Sequence, residues 1–180
     1  KPGATHIDMP VNVAKMPVSE GEKPLRKKIA PKEYAELDTV QDAAGMIFQA
    51  KNPVILAGSG VVRGHAAKEL TEFATKLKIP VINTMMAKGV IPFDNPYSMW
   101  TIGIPQKIME EADLVIAVGY DIVEYAPAKW NPEGKIDIVH VDMRPAHINK
   151  LYQPEVEVVG DIADALVQIG RRTSRRQEPE

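Results

Sequence analysis

Gly58-Ser59-Gly60 is the stretch of this 180-residue chain whose residue types and placement point most directly to chemistry. It follows Pro53-Val54-Ile55-Leu56-Ala57, an apolar run of the kind taken by a strand covered on both faces. A segment of helical spacing comes next. At such a junction glycine lets the backbone approach a ligand closely, and the free N–H groups of the helix start suit a phosphate. The glycines stand at 58, 60 and 64, which is not the Gly-x-Gly-x-x-Gly spacing of dinucleotide dehydrogenases. The same residues also suit a tight strand-to-helix turn that binds nothing, and both readings stand on sequence alone. Gly119 ends a second apolar run, Leu114–Val118, in the same manner. Asp142 follows a third, Ile136–Val141, where its carboxylate would hold a ribose hydroxyl or mark the acidic start of a short helix opened by Pro145. Asp94, Asp121 and Glu124 fall in long loops at the expected carboxyl edge of the sheet, lining a site or simply solvated.

Other chemistries lack their residues. His6, His65, His140 and His147 lie in four separate segments, and none forms a His-x-x-x-His metal pair. His140 lies within an apolar strand and reads as a satisfied core or edge histidine rather than a catalyst. There is no Gly-x-Ser-x-Gly elbow and no Walker loop. With no cysteine, disulfides, thiolate zinc sites, iron–sulfur clusters and a thiol nucleophile are excluded. The chain offers no catalytic residue and no metal site of its own.

The elements that would position these residues follow from hydrophobic periodicity. Val40, Ala43, Ala44, Ile47 and Phe48 describe an amphipathic helix capped by Asp38 or Thr39. Ala66, Leu70, Phe73, Ala74 and Leu77 describe a second, from about Gly64. Ile79–Ile82 is the next strand, and a long loop with Gly89, Pro92 and Pro96 follows. Ile108, Met109 and Ala112 suggest a short helix before Leu114–Val118. A second long loop, 120–134, leads to Ile136–Val141, and Val156–Val159 is the last strand. Gly160-Asp161 caps a helix with Ile162, Ala165, Leu166 and Ile169 on its apolar face, and Asp164 completes a box-like cap. Strands alternating with helices imply an α/β fold, a three-layer, mostly parallel sheet with helices on both faces.

Composition agrees with a globular domain: 44% hydrophobic and 26% charged residues exclude general disorder. Twenty-two Lys and Arg against 24 Asp and Glu leave a net charge of −2, which offers no basic field for nucleic acid or an acidic membrane. No apolar stretch approaches the ~20 residues of a membrane span, and the lack of cysteine fits a reducing cytoplasm. Residues 14–37 carry Pro17, Pro24 and Pro31 among charged residues and read as an extended linker. Ile7–Val13 reads as the closing strand of a preceding domain, 38–170 as the domain proper, and 171–180 as a polar tail. The whole reads as a piece of a longer polypeptide.

Several stretches, taken in order, resemble the thiamine diphosphate enzymes. Pro2-Gly3 with Ile7-Asp8-Met9-Pro10-Val11-Asn12-Val13 is similar to the end of their pyrimidine-binding domain. Asn52–Gly60, Ile79-Pro80-Val81, Lys88-Gly89, Ala112–Ile116 to Gly119, Val139-His140-Val141-Asp142 and Val159-Gly160-Asp161-Ile162 resemble their Rossmann-like central domain. Gly119-Tyr120-Asp121, Val123-Glu124-Tyr125, Pro127, Trp130-Asn131 and Tyr152-Gln153-Pro154-Glu155 narrow the resemblance to acetolactate synthases of catabolic type.

That resemblance implies a parent enzyme condensing two pyruvates to 2-acetolactate and CO2 with thiamine diphosphate and Mg2+. Both cofactors would be bound outside this chain, by the flanking catalytic domains of a cytoplasmic homo-oligomer. This chain would then be inactive alone. Flavin-dependent relatives carry an Arg-Phe-Asp-Asp-Arg stretch at Tyr120–Tyr125, whereas this chain has no Arg or Lys there, which counts against FAD. Gly58, Ser59, Gly60, Gly119 and Asp142 would then line a vestigial flavin pocket or one for another adenine nucleotide. The alternatives are another 2-oxo-acid decarboxylase, a flavin-dependent synthase, or a stand-alone nucleotide-binding module. NAD-dependent deacylases of similar fold usually need a cysteine-ligated zinc, which this chain cannot supply.

Overall fold

The computed structural model describes residues 6–18, 21, 23, 31–101 and 106–173. Lys1-Pro2-Gly3, most of the proline-rich segment 19–30 and the tail 174–180 lie outside the described residues. The chain divides into two units, Lys1–Pro31 and Lys32–Glu180. In the first, the run expected as a strand ends instead in one helical turn, α1 (Val11–Ala14), with no buried residue. A strand needs a neighbour for its N–H and C=O groups. None is found among the described residues of this unit, and the Val13 and Ala14 amides turn back to the Pro10 carbonyl.

The second unit is built on six strands: β1 (Pro53–Ala57), β2 (Val81–Asn83), β3 (Ser98–Thr101), β4 (Leu114–Val118), β5 (Asp137–Asp142) and β6 (Val156–Val159). Their order in the sheet is β3-β2-β1-β4-β5-β6, and every ladder is parallel. The chain winds outward from β1 in one direction, returns, and winds outward from β4 in the other. Beside the ends of β1 and β4 the connections therefore diverge, which opens a crevice at that switch point. Register aligns the two strands from Pro53 opposite Leu114 to Ala57 opposite Val118, so Gly58 and Gly119 leave the sheet side by side.

Alternate residues of each strand feed two cores. Ile55, Ala57, Val81, Ile116, Val118, Val139, Val141 and Val158 face α2 (Leu37–Gln49), α4 (Ala67–Leu77) and α6 (Ile162–Arg172). Val54, Leu56, Ile82, Val115, Ala117 and Ile138 face the other way, onto Met109 of α5 (Gln106–Glu110), Ala112 and three rings, Tyr120, Trp130 and Tyr152. The expected three layers are present, but the second outer layer is one short helix and an aromatic cluster.

Local departures have physical causes. The first long helix starts at Leu37, two or three residues before a cap at Asp38 or Thr39 would start it; Glu36 is its N-cap and Thr39 Oγ1 donates to the Glu36 carbonyl at 3.0 Å. Phe48, expected on its apolar face, is exposed near the helix end. The segment after β1 is not one helix but two. A short helix, α3 (Ser59–Arg63), starts at once, and the left-handed φ of 53° at His65 separates it from α4. No helix follows Pro145, because side chains take the backbone groups it would need. Glu157 accepts the Ala146 amide at 2.8 Å, and Asn149 Oδ1 accepts the Leu151 amide at 2.8 Å. β3 lies where only a loop was expected; it is a short, half-exposed edge strand paired to β2 through a register shift, with Trp100 at φ 70°.

Asp161 caps α6 as its position suggests, accepting the Asp164 amide at 3.0 Å, and Lys32 pairs with it at 2.9 Å. Burial pushes the Asp161 carboxyl up, but the Asp164 amide and the Lys32 ammonium outweigh it and hold the pKa below the ordinary value. A depressed acid stabilises above its unfolded pKa and loses that contribution as pH falls through its folded one. Asp161→Ala should therefore cost about 1–2 kcal/mol at pH 7. The difference from the parent chain should shrink below about pH 4. Urea unfolding at the two pH values measures both.

Candidate functional site

The crevice is closed first by its own backbone. Gly58 N donates to the Val118 carbonyl at 2.9 Å, Gly60 N to Gly119 O at 2.7 Å, and Gly119 N to Val141 O at 2.8 Å. Thr84 N, just beyond β2, donates to Ala57 O at 2.9 Å. These bonds stitch the carboxyl ends of β2, β1, β4 and β5 together. A Cβ on Gly58 would stand 2.4 Å from Gly119 O, and one on Gly60 would stand 2.6 Å from Gly119 Cα. The glycines thus permit backbone to meet backbone, which is the close approach that a ligand would otherwise require.

Into this junction reaches Glu124, a half-buried carboxylate from the loop after β4. Its Oε1 accepts from Ser59 N at 3.0 Å and from Ser59 Oγ at 2.7 Å. Its Oε2 accepts from the same amide at 3.0 Å and from Thr84 Oγ1. Ser59 is 7% exposed and Thr84 fully buried, so these are shielded, charge-assisted bonds. Gly58, Ser59, Gly60 and Gly119, the residues singled out from sequence, are brought together. Glu124 joins them, although its sequence position favours a solvated loop. Thr84 was not foreseen; its only signal is a hydroxyl directly after β2, at the carboxyl edge.

The remaining candidates stand apart. Asp142 ends β5, two strands from β1, which is about 10 Å at ordinary strand spacing. Burial raises its carboxyl pKa, opposed by His140 and by the Met143 and Arg144 amides. Its alternative reading as the start of a Pro145 helix falls with that helix. Asp94 is solvent-exposed. Asp121 accepts the Val123 amide of its own loop at 3.2 Å and lies 3.8 Å from the exposed His147. His140 is buried and fully engaged: Nε2 faces the Arg144 carbonyl at 3.0 Å and Nδ1 faces Tyr152 Oη at 2.8 Å. A carbonyl only accepts, so Nε2 carries the proton and Nδ1 accepts from the tyrosine.

The loop that carries Glu124 is anchored by aromatic packing. Tyr120 and Trp130 rings lie 6.1 Å apart edge to face, Trp130 and Tyr152 lie 6.2 Å apart, and Tyr120 and Tyr152 lie 5.5 Å apart. Trp130 Nε1 donates to Tyr120 Oη at 3.2 Å, and Tyr120 Oη donates to the Tyr125 carbonyl, the residue next to Glu124. Burial pushes both the Tyr120 and the Tyr152 phenol up, so neither ionises in the ordinary pH range.

A six-stranded parallel sheet with a glycine-lined switch point is shared by many families, so the sequence decides. Residues 40–169 match the family described as thiamine pyrophosphate enzyme, central domain. The chain belongs to that family. Over 92% of its length this central domain is 33% identical to the probable acetolactate synthase large subunit of Methanocaldococcus jannaschii. Over 98% it is 30% identical to the catabolic acetolactate synthase of Raoultella terrigena. The chain spans 30% and 32% of the length of those two relatives. Among solved structures, benzoylformate decarboxylase from Polynucleobacter necessarius superposes with a TM-score of 0.69 at 23% identity, covering 90% of this chain and 32% of that one.

The residues of this central domain do not fit the cofactor for which the family is named. The donors that converge in the crevice are already held by Glu124. Among the described residues no group of three or more His, Asp or Glu could hold a metal ion. A dinucleotide such as FAD fits no better, because its diphosphate would meet a carboxylate, and Tyr120–Tyr125 contains no cation. No helix among the described residues is long and apolar enough to cross a membrane.

Proposed function

We propose that this central domain is part of an acetolactate synthase, a cytoplasmic homo-oligomer whose whole polypeptide joins two molecules of pyruvate to 2-acetolactate and CO2. Similarity to proteins named acetolactate synthase along nearly the whole chain carries this reading. Thiamine diphosphate, which supplies the electron sink for decarboxylation, and Mg2+ are held by the flanking domains. The part played by the chain is to space those domains and to shape the path to the cofactor. By itself it is inactive, because the titratable groups described above are engaged structurally or solvated rather than gathered around a substrate space. Identity does not select the branch of the family, since the methanogen relative is the more similar of the two. The occupied crevice and the cation-free loop favour the flavin-free branch.

A 2-oxo-acid decarboxylase is the second reading, supported by likeness of fold alone. Supplying the full-length polypeptide with pyruvate or benzoylformate, plus thiamine diphosphate and Mg2+, separates the two. Pyruvate should give 2-acetolactate and benzoylformate no benzaldehyde. Benzaldehyde without acetolactate would refute the synthase reading.

A further inference from the structure

Glu124 occupies the place at the sheet's switch point where this class of fold seats a ligand, and it does so as an anion. We propose that Glu124 is the residue that closes the crevice to phosphate-bearing cofactors, by taking their donors and pinning the 120–126 loop across the ends of β1 and β2. The donor count is the first reason. Ser59 N, Ser59 Oγ and Thr84 Oγ1 each have one hydrogen, and all three are directed at the Glu124 carboxylate, leaving none for a phosphate oxygen. Charge is the second reason. A diphosphate entering here would stand against a half-buried carboxylate, with no Arg or Lys in Tyr120–Tyr125 to offset it. Anchorage is the third. The loop is tied at Tyr120 and Tyr125 as well as at Glu124, so the carboxylate is held in place rather than swinging in solvent. Glu124 therefore acts as a specificity-determining residue by exclusion, and this holds whichever 2-oxo acid the parent enzyme uses.

Hydrogen exchange read at the Ser59 amide tests the proposal, with ADP and FAD as probes and protein bearing Glu124→Ala or Glu124→Gln beside the parent sequence. In the parent, Ser59 should be protected, and neither probe at millimolar concentration should alter its exchange. In Glu124→Ala, Ser59 should exchange at least tenfold faster while β1 and β4 amides stay protected, and ADP should restore a severalfold slowing. Should alanine also expose β1 and β4, Glu124→Gln keeps the size and removes the charge; it should show the same pattern with a smaller ADP response. ADP or FAD protecting Ser59 in the parent would overturn the proposal. So would a folded variant whose Ser59 exchange is unchanged, or one that ignores ADP. Neither readout depends on acetolactate formation, so failure here leaves the synthase reading to its own assay.

Discussion

Alanine at Gly119 should lower the unfolding free energy by roughly 3 kcal/mol or more, the largest effect expected of an added methyl among the described glycines. Two costs add. Gly119 has φ 57°, a left-handed conformation that costs a residue with a Cβ about 1–2 kcal/mol. The new Cβ would also stand 2.4 Å from Val61 N, 2.7 Å from Gly60 C and 2.8 Å from Gly60 Cα. Those are backbone atoms, which cannot rotate away, so the β4 end must separate from α3 and strain the 2.7 Å bond from Gly60 N to Gly119 O. The matching control is Gly45→Ala in α2, where nothing lies within 4 Å of the added methyl. That change should be neutral or stabilising by up to about 1 kcal/mol. Urea unfolding of both variants reads the contrast, and a Gly119→Ala protein within 1 kcal/mol of the parent would show that the crevice is looser than described.

Truncating Tyr152 to alanine should cost about 3–5 kcal/mol. Its side chain is 1% exposed, and its ring touches Tyr120, Trp130 and His140 where the sheet lacks a covering helix. Alanine would leave a cavity under the loop that carries Glu124. Trp130 is buried in the parent, so its fluorescence should shift to the red as water enters. Tyr152→Phe isolates the polar part. It keeps the ring but leaves His140 Nδ1 without a donor, because the Arg144 carbonyl has already fixed the proton on Nε2. An unsatisfied buried acceptor costs about 1–3 kcal/mol. Equal losses for phenylalanine and alanine would mean that the hydroxyl, not the ring, holds this layer together.

What could be read from sequence was whatever is encoded locally. β1 and β4 announce themselves as apolar runs ended by glycine, and α4 and α6 show clean helical spacing, so the parallel α/β sheet and its switch point follow. Periodicity and capping are properties of neighbours in the chain. The errors fall where distant residues decide. The Ala146 amide belongs to Glu157, so Pro145 opens no helix, and β3 exists only because β2 offers it an edge. Glu124 looked like one more loop carboxylate, and its partners lie 65 and 40 residues away in sequence. The Gly58–Gly60 turn is legible from its glycines, but local sequence does not choose between a ligand site and a plain turn. Its occupant is a carboxylate of the same chain, which no local pattern reveals, because nothing nearby in sequence pairs a loop acid with a turn across the sheet.

The decisive experiment is acetolactate formation by the full-length polypeptide, with pyruvate, thiamine diphosphate and Mg2+ supplied and flavin left out. A crevice filled by Glu124 predicts full activity under those conditions, unchanged when FAD is added and without flavin absorbance in the purified enzyme. Activity that appears only on adding FAD would contradict it, because the crevice would then have to open and the Glu124 carboxylate give up its place.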